Sequence, residues 1–211
     1  MALMPSLALA LVCLVPLGKH DPRLLQVAER GIAHLYGVQV KRLAAAPLPA
    51  AAWTAPRKRW RAEKILAHLD EQLVPDSGCE VVVGLTDEDI STTKGAHADW
   101  GVLGLAFLGS HVAVVSTHRC RRGARGDMLE RRTVNVVNHE LGHALGLDHD
   151  PTPGCIMNDA QGTVRTVDQE TGLLCEPSRA VVEKRLGAKL PARTSFDWAA
   201  VLRRDGGAPP R

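Results

Sequence analysis

The stretch His139-Glu140-Leu141-Gly142-His143-Ala144-Leu145-Gly146-Leu147-Asp148-His149 decides how this chain is read. Histidines four residues apart share one helical face with Cβ atoms about 5–6 Å apart, so the imidazoles of His139 and His143 can reach one ion at about 2.0–2.1 Å. Glu140 comes next after the first of them, along the same side. It stands beside the metal without binding it, where a general base for a metal-activated water has to be. Gly146, having no Cβ, can take the left-handed conformation that ends helices, and the turn returns His149 as a third ligand. Three neutral imidazoles leave the fourth position of a zinc ion open, which separates a catalytic site from a closed structural one. A bare H-E-x-x-H arises by chance as a solvated pair on a helix. The longer H-E-x-x-H-x-x-G-x-x-H, with Met157 eight residues beyond, is far harder to reach that way.

The long motif resembles the metzincin signature, and Met157 matches the residue of the Met-turn that passes beneath the metal. The segment after His149 is similar to that of the archaemetzincins. Asp150, Pro151 to Gly154, Cys155-Ile156-Met157, seventeen residues to Cys175, and then Glu176-Pro177-Ser178 keep the family's spacing of a cysteine, C-x-M and C-x-x-C. Pro16-Leu17-Gly18, Gly84-Leu85-Thr86-Asp87-Glu88-Asp89 and Val114-Val115-Ser116-Thr117-His118-Arg119 match further family-like elements, P-x-G, G-x-T-x-x-D and V-V-S-x-x-R. In the family four thiolates hold a second, structural zinc, whereas here Asp150 and Ser178 stand at the first and last of those positions. Two thiolates with a carboxylate and a hydroxyl make a poor structural zinc site. The resemblance therefore implies one catalytic Zn2+ and leaves Cys155 and Cys175 as a disulfide, free thiols or a remnant second metal site. Asp150 directly after His149, with Cys-Ile-Met beyond, also resembles the secreted adamalysins. The short distance to Met157, the gap to Cys175 and the P-x-G element favour archaemetzincins.

The fold expected is α/β, in the α+β sense: a metzincin-like mixed, twisted sheet packed on helices, with an active-site helix and a Met-turn. At 211 residues, 45% apolar and with a net charge of +3, the chain is long enough to bury the core of one domain. That domain is set at 1–187, with a C-terminal extension at 188–211 that loosens after about 204. The basic runs Arg57-Lys58-Arg59-Trp60-Arg61 and Arg119 to Arg132 read as solvated faces, and nucleic acid is not an expected partner. The apolar run Leu7 to Leu17 lacks a preceding basic residue and a following A-x-A-like site, and it is too short to span a bilayer. Ala10 to Pro16 reads instead as a buried first strand, which favours the cytoplasm. Secretion or the periplasm is the alternative if residues 1–18 are a signal peptide. Leaving out Cys13, the cysteines at 79, 120, 155 and 175 would permit two disulfides in an oxidising compartment.

Asp21-Pro22 opens a helix that Gly37 stops, and Val38 to Leu43 comes next as a strand. Ala44 to Pro56 is an irregular crossing, about Arg57 to Leu73 a second helix, and Cys79 to Thr86 a strand. The acidic Asp87-Glu88-Asp89 reads as a helix cap or a turn rather than a metal site. Val102 to Leu108 and Val112 to Ser116, joined by Gly109-Ser110-His111, form a hairpin whose edge an extended peptide can join as one more strand. His97 and His111 read as surface imidazoles. The active-site helix starts near Met128 or Leu129, with Val134, Val137, Leu141 and Leu145 inward. Asn158 to Leu174 is a polar connection, Glu176 to Leu186 a last helix, and 205–211 a disordered tail. These features predict zinc-dependent hydrolysis of a peptide or protein by a monomer without stable membrane insertion, with Glu140 as base and then acid. A zinc-dependent peptide-binding module and a zinc amidase are the other readings, and an intact Glu140 argues against the module.

Overall fold

Apolar runs without alternation are what strands buried on both faces look like, and the run from Ala10 becomes one. The computed structural model describes residues 10–204, so Leu7 to Leu9 and the tail expected at 205–211 lie outside the described residues. In chain order the elements are β1 (Leu11–Pro16), α1 (Pro22–Tyr36), β2 (Gln39–Arg42), β3 (Trp53–Thr54), β4 (Arg59–Arg61), α2 (Ala62–Gln72), α3 (Val74–Ser77) and β5 (Val81–Thr86). They continue as β6 (Ile90–Lys94), β7 (His97–Val102), β8 (Gly104–Ala106), β9 (Val112–Ser116), α4 (Met128–Ala144), α5 (Val164–Val167), α6 (Glu176–Leu186) and α7 (Trp198–Leu202). The main sheet has the order β2-β1-β5-β9-β8, parallel except for β8, which pairs antiparallel with β9 at one edge. Successive side chains leave β1 on opposite faces. Val12 and Leu14 enter a core shared with α1 and α4, whereas Cys13, Val15 and Leu17 enter one shared with α2.

The first of these cores positions the site. Asp21 caps α1 by accepting from the Arg23 N–H, Pro22 fills its first turn, and Gly37 ends it at φ +65°. α1 lies close against α4 because Gly31 has no side chain: a Cβ there would stand 2.5 Å from Val134 Cγ1. The Tyr36 hydroxyl donates to the Asn138 carbonyl at 2.6 Å, fixing α4 one residue before its first histidine. Leu190, Phe196 and Val201, beyond Gly187, are buried in the same core, and Arg23 donates to the Arg203 carbonyl.

Four expectations are corrected. The helix expected from Arg57 begins only at Ala62, because Arg59–Arg61 is strand β4 in a second sheet of order β3-β4-β6-β7. Trp60 packs against Trp53 with ring centroids 5.0 Å apart and the rings tilted, and Arg59 reaches Asp89 at 2.8 Å, contacts that an extended backbone supplies. The basic runs are not simply solvated: Arg119 grips Asp89 through two bonds of 2.8 and 3.0 Å, Arg121 meets Asp87, and Arg132 meets Asp168. The run Val102 to Leu108 is divided, Val102 closing β7 and Gly104–Ala106 forming β8. Cys13, set aside in pairing the other cysteines, is bonded to Cys79 (Cα–Cα 5.9 Å), since β1 and β5 are parallel neighbours, while Cys120 is buried and unbonded.

Candidate metal centre

Helix α4 carries His139 and His143 on one face, and after its end Gly146, at φ +97°, turns the chain toward His149. One ring nitrogen of each of the three histidines lies within 4.8 Å of the others. The carbonyls around them set the direction of the rings. His139 Nδ1 donates to the Ile156 carbonyl and His143 Nδ1 to the Leu147 carbonyl, each at 2.7 Å, which turns both Nε2 atoms to a common point, 3.0 Å apart. Donors at about 2.1 Å from a tetrahedral ion stand about 3.4 Å from one another, so the set fits zinc with one position left open. Burial, with His143 nearby, pushes the His139 pKa down to about 3, and burial lowers that of His143 as well, so both rings are kept in the neutral form that binds metal.

The turn that carries Met157 packs against the same helix. Met157 is fully buried against Gly142, where a Cβ would stand 2.5 Å from its sulfur. The Asp150 N–H donates to the Met157 carbonyl at 2.9 Å, tying the segment after His149 to this turn. Glu140 lines the same cavity, of about 340 Å³, as the three histidines and strand β8. Its carboxylate reaches there because Gly104 of β8 is bare: a Cβ would be 2.6 Å from Glu140 Oε1. Burial pushes the Glu140 pKa up to about 8. A divalent cation beside it works in the opposite direction. At the hairpin tip the Gly109 N–H donates to the His143 carbonyl at 2.9 Å, so the edge strand hangs on the helix that carries His139 and His143.

The second expected cluster also comes together, in a different state. Asp150, Cys155 and Cys175 place their ligand atoms within 4.8 Å of one another. Cys155 and Cys175 are, however, bonded to each other (Cα–Cα 5.3 Å), Ser178 Oγ lies 3.3 Å from Cys175 Sγ, and Asp150 Oδ1 accepts from the Thr152 N–H. With both sulfurs spent on each other, this group does not fit a zinc ion. His97 and His111 are exposed and lie outside the triad, the latter bonded to the Glu80 carbonyl. Gly104 escaped the sequence reading, although a glycine inside a strand pattern signals close backbone approach. Asp159 and Glu170, which line the cavity, carry no motif that would have singled them out.

Comparison with known proteins agrees on a metallopeptidase, with a family model of one type and relatives of another. Residues 36–183 match a reprolysin-type model described as Metallo-peptidase family M12. The archaemetzincin of Natronomonas pharaonis is 30% identical over 78% of this chain and 94% of its own length, and that of Pyrococcus furiosus 28% identical over 84% and 94%. The crystal structure of archaemetzincin from Methanopyrus kandleri is similar with a TM-score of 0.74 at 27% identity, covering 88% of this chain and 99% of that one. The Archaeoglobus fulgidus archaemetzincin, solved with malonate, gives 0.67 at 25%, covering 81% and 99%.

Proposed function

From the premise that this chain belongs to the archaemetzincins, a family of zinc metallopeptidases, we propose that His139, His143 and His149 hold its zinc and that Glu140 is the general base of peptide hydrolysis. The observation that carries this reading is the convergence of two Nε2 atoms, each turned by a backbone carbonyl, in a cavity that also admits the Glu140 carboxylate. Zinc in such a set supplies Lewis acidity, bringing water to a nucleophilic form near neutral pH and polarising a carbonyl. The chain's own part is positional and protonic. β8 is the last strand of its sheet, and its outer edge offers an extended peptide the backbone groups of one more pairing. Glu140 takes the proton of the attacking water and passes it to the leaving amine, and no covalent enzyme intermediate is required.

Glu140→Gln tests the assignment. The variant is expected to keep one equivalent of zinc, measured by atomic absorption, while kcat/KM on a quenched fluorescent peptide falls by about 10²- to 10⁴-fold. Turnover close to that of the unaltered protein would remove Glu140 from the role. The two bonded cysteine pairs favour action in an oxidising compartment rather than in the cytoplasm that the first strand suggested. Among the described residues no helix is long and apolar enough to cross a membrane.

A further inference from the structure

The cavity beside the triad continues along α4 toward its N-terminus. Val136, one helical turn before Glu140, and Val167 at the end of α5 form apolar walls there, and Glu170, just past the turn that closes α5, adds a carboxyl group. Glu170 Oε2 is buried and has no hydrogen-bond partner. Burial, with Asp168 close by, pushes its pKa up to about 9. The cations of the neighbourhood are committed elsewhere. Arg132 is held by Asp168 at 2.6 and 2.8 Å and donates its remaining nitrogen to the Cys120 and Arg122 carbonyls at 2.8 Å. Lys94, the cation among the described residues that line the cavity, lies over the Trp100 ring, 5.9 Å from its centroid. Asp148 and Asp159 add carboxyl groups to the same walls.

An orphaned buried acceptor needs an explanation, and an occupant that brings its own donor is one. The occupant has to present an apolar stem between two valines and a cationic donor at its end. Lysine and arginine side chains are built in that way. We infer that Glu170 is a specificity-determining residue, and that the enzyme prefers peptides with lysine or arginine next to the bond that is cut. The side-chain stem lies between Val136 and Val167 and its cation meets Glu170, whose carboxyl group releases its proton to solvent as the cation takes its place. The inference rests on the peptidase reading above and names the substrate class of that site.

The test uses the zinc-loaded full chain and blocked alanine hexapeptides in which one position at a time carries Lys, Arg, Leu or Glu. The unaltered enzyme is expected to cut the best Lys or Arg peptide with a kcat/KM about 10- to 100-fold above its Leu counterpart. In Glu170→Gln that ratio falls to within about threefold, with zinc content and melting temperature as controls for folding. In a second measurement, independent of turnover and of whether Glu170→Gln folds, the Lys and Leu peptides are titrated into Glu140→Gln. The Lys peptide should bind at least about tenfold more tightly. Equal binding or cutting of Lys and Leu peptides, or a basic preference that survives Glu170→Gln, overturns the inference. Preferential binding of Lys peptides without cleavage of any peptide would leave it standing and remove the hydrolytic reading instead.

Discussion

The stretch from His139 to Ser178 carries two clusters of metal-ligand residue types, and they ended differently. In the first, three imidazoles converge and their free nitrogens remain unspent, because the opposite nitrogens of His139 and His143 are occupied by the Ile156 and Leu147 carbonyls. In the second, Asp150 and Ser178 stand where the resemblance leads one to expect cysteines, and the sulfurs of Cys155 and Cys175 are joined to each other. Both clusters bring their donors within 4.8 Å of one another. Proximity alone therefore does not make a metal site; the donors must also be held apart, aimed and unused. The two are linked through a shared loop: the Met-turn that supports His139 includes Cys155, whose disulfide anchors that loop to the start of α6.

The largest effect should come from breaking the first cluster. His143→Ala is expected to lose zinc and about 10³-fold or more of peptide hydrolysis, while titration with a thiol reagent still counts the same free thiols. A chelator should do the same reversibly, with activity returning on addition of zinc. Breaking the second cluster with Cys155→Ser should cost stability rather than chemistry. Opening a loop with a sequence separation of 20 corresponds to about 3 kcal/mol, or a Tm about 6–12 °C lower, with one zinc still bound. The contrast sharpens if Asp150→Cys and Ser178→Cys are combined under reducing conditions, since four thiolates should then take up a second equivalent of zinc, measurable by atomic absorption. Gly104→Ala tests the cavity from the strand side. The added methyl displaces Glu140, and hydrolysis should fall about 10- to 100-fold with zinc content unchanged.

The smallest effect concerns a carboxyl group with a buried oxygen that has no partner, a feature the cysteine cluster lacks. Glu170 has a folded-state pKa raised to about 9 from 4.5, so between those values the folded state holds a proton that the unfolded state has released. Its contribution to stability is therefore present at low pH and lost as pH rises through that window. Thermal melts of Glu170→Gln should decline less with pH between 5 and 9 than those of the unaltered protein, by on the order of 1 kcal/mol per pH unit or less.

Much of the site was legible because its signals are local. The helical period brings His139 and His143 onto one face, a glycine must release the chain before His149, and the apolar runs of β5 and β9 can only be inner strands. The second sheet was not legible, because its strands are short and depend on distant partners: Arg59 reads as strand only once Asp89 is beside it, and Trp60 once Trp53 is. Cysteine connectivity cannot be taken from spacing, and Cys13 meets Cys79 solely through the order of strands in the main sheet. Glu170 lies in no periodic element, so nothing local announced that it would face the cavity.

The bond from the Asp150 N–H to the Met157 carbonyl has a kinetic consequence. Together with the acceptor that Ile156 provides for His139, it makes the segment 150–157 a latch on two of the three histidines proposed to hold zinc, one on each side of the turn. The residence time of the ion should then track the breathing of this latch, not the melting of the helix. A single protease nick between Asp150 and Gly154 would speed zinc release into a chelating dye while leaving the helical circular dichroism unchanged.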